Sequence, residues 1–132
     1  MRIYITYCSA KKSLSVKRSG ARVLPDKLYT SDRIQRFMRQ CKEQRVGWAI
    51  FSDLYGVYFP NEKHQWYEKS PDSVTPTEFR ELLKSFDKKL RAYSEIRFYR
   101  HPKRFHILYR KLLRNTKLRR KVRLFKNVRR IV

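Results

Sequence analysis

The sequence predicts one α/β domain spanning residues 1–132: a mostly parallel four-stranded sheet with helices on both faces. Three observations predict it. Short apolar or alternating runs recur at four places along the chain. Amphipathic stretches of helical period separate them, and the order strand–helix–strand favours right-handed crossovers between parallel strands. No internal repeat or low-complexity linker divides the chain, and 41% hydrophobic content with 14% aromatics argues against global disorder.

Each element has its own signal. In Arg2–Tyr7, Ile3 and Ile5 alternate with Tyr4 and Thr6, as in a strand. A loop to Lys27 follows, carrying Gly20 and Pro25. Ser31 is an N-cap, Asp32 complements the dipole of the first turn, and Ile34, Phe37, Met38 and Cys41 form the helix's buried stripe. "GWAIFS", Gly47–Ser52, is nearly all apolar and suits a strand buried on both faces. A loop with Gly56 and Pro60 leads to Thr75-Pro76 with Glu78 three residues on, a capping-box start. Phe79, Leu82, Leu83, Phe86, Leu90 and Tyr93 then mark a second helix. "EIRFYR", Glu95–Arg100, reads as a third strand. A third helix opens at Pro102 and packs through Phe105, Leu108, Leu112 and Leu113, and "KVRLFKNV" closes as a fourth strand.

Charge narrows the function classes. The chain holds 34 Lys+Arg against 11 Asp+Glu, a formal charge of +23. Solubility asks only for a magnitude of about 2 to 8 in a small domain, so the surplus points to a polyanionic partner. Cys8 and Cys41 make neither a disulfide framework nor a zinc site. No apolar run reaches the ~20 residues of a membrane span, and "MRIYITYC" lacks a signal-peptide pattern. A cytoplasmic protein without membrane contact, metal or cofactor is the expectation; oligomeric state stays open.

Ligands of open parallel sheets bind outside the carboxyl ends of the strands. Three segments converge there: Cys8–Lys12, Ser52–Gly56 and Tyr99–Lys103. They offer Cys8, Lys12, Asp53 and His101 as catalytic candidates, or as a phosphate cradle. A cysteine at a strand end is more often a small buried hydrophobe, although Lys11 and Lys12 would lower its pKa. Asp53 suits a turn cap as well as a substrate contact, and His64 and His106 look ordinary. No Walker loop, Rossmann fingerprint, metal spacing or nucleophile elbow occurs, and three glycines exclude a glycine-rich phosphate turn. Trp66 and Tyr67, flanked by charges, read first as an aromatic lid on the sheet and second as a base-stacking platform.

The carboxyl third, residues 96–132, carries the strongest signal. It contains no acidic residue and fifteen cations. Arg100, Lys103, Arg104, Arg110, Lys111, Arg114, Lys117, Arg119, Arg120 and Arg123 form the expected nucleic-acid surface, with Lys11, Lys12, Trp66 and Tyr67 contributing from elsewhere. Arg104, Lys111 and Arg114 are placed on one side of the third helix. A solvated face normally mixes signs and gains from Glu–Lys pairs, and this region forgoes them all. The prevalence of arginine suits bidentate phosphate contact. A basic, folded, aromatic-containing domain without a helix-turn-helix or zinc motif suits structured RNA.

"YCSAKK", "LYTSDRI", "AIFSDLYGVYFP" and "WYEKSPDSVT" together resemble a small, mainly archaeal domain family of uncharacterised function, over roughly residues 3–125. The Cys8-x-x-x-Lys12 spacing also resembles the Cys-x-x-x-Lys-Pro-Tyr motif of archaeosine synthase, a tRNA-modifying enzyme. Ser13-Leu14 stands in place of Pro-Tyr, and no histidine precedes His64. The resemblance implies an archaeal, RNA-related setting more than it implies a reaction.

The reading is therefore an RNA-binding protein, associated with tRNA or the ribosome, whose opening loop contacts phosphate or nucleotide. The rival is a nucleoside- or tRNA-base-modifying enzyme with its pocket at the strand ends. A DNA-associated protein is the third reading, because charge alone does not choose the polymer.

Overall fold

Strand β1 (Arg2–Tyr7) occupies the centre of the sheet because Ile3 and Ile5 face one core and Tyr4 faces another. The computed structural model describes all residues, Met1–Val132. β2 (Gly47–Ser52) lies parallel on one side of β1, pairing Ile5 with Ala49. β4 (Glu95–Tyr99) lies parallel on the other, pairing Ile3 with Ile96, and β5 (Val122–Phe125) extends that side, again parallel. β3 (Gly56–Tyr58) turns back antiparallel on β2, giving the order β3-β2-β1-β4-β5. The sheet is therefore five-stranded and mixed, not four-stranded: the four expected strands are parallel, and β3 is an antiparallel addition at the edge.

Helices cover both faces. α1 (Leu14–Ser19), α2 (Pro25–Leu28) and α3 (Asp32–Gln44) lie on one. There Val16, Leu28, Ile34, Phe37 and Met38 pack against Tyr4, Trp48, Ile50 and Tyr58. α4 (Pro76–Leu90) and α5 (Ile107–Asn115) lie on the other, where Leu82, Phe86, Leu90, Leu108 and Leu112 meet Ile5, Phe51, Val57, Ile96 and Phe98. The α3 stripe is the expected one, and Ser31 Oγ accepts the Ile34 N–H. The α4 start is a complete capping box: Thr75 Oγ1 accepts the Glu78 N–H at 3.2 Å and Glu78 Oε1 accepts the Thr75 N–H at 2.9 Å.

Several local expectations need correction. The loop to Lys27 contains α1 and α2; Ser13 caps α1, and Gly20, at φ +68°, ends it in the left-handed conformation that glycine adopts without penalty. Gly56 lies in no open loop but starts β3 at φ +73°, where an added Cβ would stand 3.1 Å from Ser85 Oγ. The third helix begins at Ile107 rather than Pro102, because His106 is its N-cap. Arg104 consequently lies in the preceding loop and not on the helix with Lys111 and Arg114. The third and fourth strands are also shorter than read, ending at Tyr99 and Phe125.

This topology places a ligand site. β1 and β4 are neighbours, yet the chain leaving β1 covers one face and the chain leaving β4 covers the other. Such a divergence opens a crevice at the carboxyl ends of the two strands.

Candidate functional site

The crevice is a cavity of about 720 Å³. That lies within the roughly 300–1,000 Å³ of sites that hold small organic ligands. The structure brings all four sequence candidates to it: Cys8 and Lys12 after β1, Asp53 after β2 and His101 after β4. Trp66 and Tyr67 form part of its wall, and Lys103, Arg104 and Arg110 line it from the chain after β4.

Cys8 is not a thiolate. It is 8% exposed, and its Sγ accepts the Asp53 N–H at 3.4 Å. Burial first, and then the charge of Asp53, pushes its pKa up to about 12, which outweighs the neighbouring lysines. Cys41 is also buried and its pKa is likewise raised to about 12 by desolvation. Native protein should therefore show slow alkylation of both cysteines at pH 7, with rapid reaction only after unfolding. Thiol titration with and without denaturant checks this; fast, selective modification of native Cys8 would contradict it.

Asp53 lies on the cavity side of the turn. Its neighbour Ser52 does the turn-capping, accepting the N–H groups of Leu54 and Tyr55 at 3.1 and 2.9 Å. The Asp53 side chain is free of that duty and accepts a 2.7 Å hydrogen bond from the Tyr109 hydroxyl. Burial raises its pKa above the ordinary carboxylate range, against the opposing effect of that hydrogen bond.

Lys12 is the most unusual group in the site. It is only 9% exposed, and its Nζ lies 4.3 Å over the Tyr67 ring and forms no ion pair or hydrogen bond with another side chain. Desolvation lowers its pKa, opposed by the nearby Cys8 and Asp53. Apart from the Tyr67 ring the ammonium has no partner in the protein, which leaves it available to an acceptor in the cavity.

The histidines have structural work. His101 Nδ1 accepts the N–H groups of Lys103 and Arg104, both at 3.0 Å, so this nitrogen organises the loop and takes no substrate proton. His106, read as ordinary, also lines the cavity: Nδ1 accepts the Leu108 N–H and Nε2 meets Asp72 at 2.7 Å. That pair ties the 66–73 segment to α5. The Lys69–Glu78 ion pair, at 2.9 Å, ties the same segment to α4, and the Thr75 backbone N–H first and then Lys69 draw the Glu78 carboxyl down to about 2. The wall is thus fixed at two points. His64 stands outside the cavity, stacked on Tyr55 at 4.0 Å between ring centres.

Two residues that pattern reading does not single out complete the site. Arg33 of α3 donates to Thr6 Oγ1, to the last carbonyl of β1, Tyr7 O at 3.0 Å, and to the next one, Cys8 O at 3.2 Å. Its guanidinium lies 4.2 Å over the Tyr7 ring. Tyr109 holds Asp53 and stacks on Tyr7 at 4.7 Å. Only the polar position of Arg33 beside the α3 apolar stripe hints at its role in the sequence, and Tyr109 looks like a core residue.

Trp66 and Tyr67 are not an outward stacking platform. Tyr67 is 5% exposed, belongs to the core and shares a 2.6 Å hydroxyl contact with Tyr29, while Lys17 covers a face of Trp66 at 4.6 Å. Their accessible surface is the cavity wall.

Beyond the cavity the carboxyl third is densely cationic. Of its fifteen cations only Arg97, Arg100 and Lys121 are partly covered, and the other twelve are exposed. Arg97 alone has a carboxylate partner, Glu95 at 2.7 Å. No group of His, Cys, Asp and Glu could hold a metal ion, and no helix is long and apolar enough to cross a membrane. Comparison with protein-family models, curated proteins and solved structures finds no match to this chain.

Proposed function

We propose that the domain binds structured RNA, of the tRNA or ribosomal kind, through its cationic carboxyl third. One observation carries the proposal: the carboxyl third exposes twelve cations, none with a carboxylate partner, and three of them, Lys103, Arg104 and Arg110, line the cavity. Cations so crowded repel one another, and a phosphate backbone neutralises that repulsion while releasing its condensed counterions. The surface is also rigid. Leu108, Leu112 and Phe125 are buried beneath it, so its cations present a fixed pattern suited to a folded polymer.

A second reading, a base-modifying enzyme, is favoured by one specific feature: a buried carboxylate and a buried lysine, Asp53 and Lys12, in the same cavity. In that case the cationic surface docks the RNA and the cavity does the chemistry. Cys8 is not its nucleophile.

The partner is identified by crosslinking the protein in its native cells and sequencing what it holds. Enrichment of one structured RNA class supports the proposal. Recovery of chromosomal DNA, or of RNA in proportion to abundance only, contradicts it.

A further inference from the structure

We infer that the cavity is a site for one nucleoside monophosphate unit, its base directed inward to Lys12 and Asp53 and its phosphate held at Lys103, Arg104 and Arg110. The inference rests on the RNA-binding reading for its setting, but on the cavity's own chemistry for its ligand.

The wall selects the ligand by exclusion. Exposed Lys103, Arg104 and Arg110 have no side-chain partner in the protein, so the outer part calls for an anion. Lys69 and Arg33 do not contribute freely, since Glu78 engages one and the end of β1 engages the other. The inner part is different. Asp53, 3% exposed, accepts from Tyr109 through one oxygen, and beyond the Cys8 thiol beside it no other side chain donates to it. A small inorganic anion driven to that depth would meet a carboxylate, so the ligand's inner end has to carry hydrogen-bond donors. It also has to carry an acceptor, because Lys12 brings to the same cavity an ammonium that has the Tyr67 ring beside it but no hydrogen-bond acceptor. Tyr7, Trp66, Tyr67, Phe105 and Tyr109 make the intervening wall aromatic, which suits a flat π-system. An anionic end, a flat body and a far edge bearing both donor and acceptor describe a nucleotide. Inorganic phosphate, a sugar phosphate and an aliphatic acid each lack at least one of the three.

The nucleotide can arrive free or as an unstacked residue of an RNA, and the rigid wall between α4 and α5 takes it either way. Extruding a residue that is already unpaired costs less than opening a pair, so a bulge or loop nucleotide is the natural RNA-borne form.

The test is titration calorimetry with the four ribonucleoside 5′-monophosphates, ribose 5-phosphate and inorganic phosphate, alongside RNA hairpins with or without a one-nucleotide bulge. At least one monophosphate should bind about tenfold or more tightly than ribose 5-phosphate, the worth of base contacts such as one charge-assisted hydrogen bond. Lys12→Met and Asp53→Asn should each remove that advantage and leave ribose 5-phosphate binding as it was. If either variant fails to fold by circular dichroism, Lys103→Ala/Arg104→Ala in the exposed loop serves instead and should weaken monophosphate and ribose 5-phosphate alike. A bulge that tightens hairpin binding marks the RNA-borne source; monophosphate binding with no effect of the bulge marks the free one. Equal binding of ribose 5-phosphate and every monophosphate, or no binding of any, overturns the inference. The RNA reading is separable: Arg114→Glu/Arg119→Glu/Arg120→Glu should lose the hairpin but keep the monophosphate.

Discussion

Reversing Arg114, Arg119 and Arg120 to Glu should abolish binding of structured RNA and leave the fold intact. All three side chains are exposed, none has a carboxylate partner, and the apolar positions beside them, Leu112 and Phe125, carry the packing. Each reversal changes the charge by two, so the triple variant falls from +23 to +17 by simple subtraction of six. The overall charge stays strongly positive, which makes the location of the loss the decisive variable. Losing three phosphate contacts and placing three carboxylates against the backbone should lower affinity at least about a hundredfold at moderate salt. The matched control reverses Arg18, Lys27 and Lys63, exposed cations outside the carboxyl third, for the same change of six. A salt-controlled binding assay should separate the two variants. Equal losses would mean that net charge alone governs binding, and an unchanged triple variant would remove the carboxyl third from the interface.

The largest effect on stability is expected at Phe51. It is 1% exposed in β2 and meets Phe86 of α4, Phe98 of β4 and Tyr109 of α5, with ring centres 6.0, 6.4 and 6.1 Å away. Phe51→Ala deletes a ring shared by three other elements, and the neighbours cannot all close in to fill the space. It should cost about 3–5 kcal/mol of unfolding free energy. The same substitution withdraws support from Tyr109, whose hydroxyl holds Asp53. The cavity floor should therefore loosen with the core. Denaturant unfolding measures the loss, and a change below about 1 kcal/mol would place Phe51 outside the main packing unit.

What was legible in the sequence follows from how locally each element is specified. α3 and α4 carry both a cap and a stripe, Ser31 with Ile34, Phe37, Met38 and Cys41, and Thr75–Glu78 with Leu82, Phe86 and Leu90. Such elements declare themselves. β3 has three residues and exists because β2 supplies its hydrogen-bond partners, so its own sequence has too little periodicity to show. α1 spans six residues between Ser13 and Gly20, a cap pair too closely set to stand out within a basic loop. The start of α5 was obscured because Pro102 is a plausible first helical residue, whereas the loop conformation is set by His101 and His106 capping backbone N–H groups.

The site divides along the same line. Residues at strand ends were within reach, since parallel topology sends Cys8, Asp53 and His101 to one rim before any side chain is placed. The roles of those residues were not. Whether Cys8 is a nucleophile depends on its burial beside Asp53, and whether Lys12 has a partner depends on Tyr67, fifty-five residues on by subtraction of their numbers. Arg33 and Tyr109 reach the cavity only through helix packing on opposite faces of the sheet. The charge bias was legible, because the absence of acidic residues after Glu95 is a property of composition, whereas the exposure of its cations and the place of Arg104 before α5 depend on the fold.

The salt dependence of binding tests the central claim most directly. A structured RNA and a DNA duplex of equal length are titrated with the protein across a series of monovalent salt concentrations. If the carboxyl third engages about six to ten phosphates, log K for the RNA should fall linearly with log salt at a slope of roughly −4 to −9, by about 0.7–0.9 per contact. The RNA should bind more tightly than the duplex DNA at every salt concentration, and reversal of Arg114, Arg119 and Arg120 should flatten the slope by about three contacts' worth. A slope near zero, or tighter binding to the DNA duplex throughout, would contradict the account.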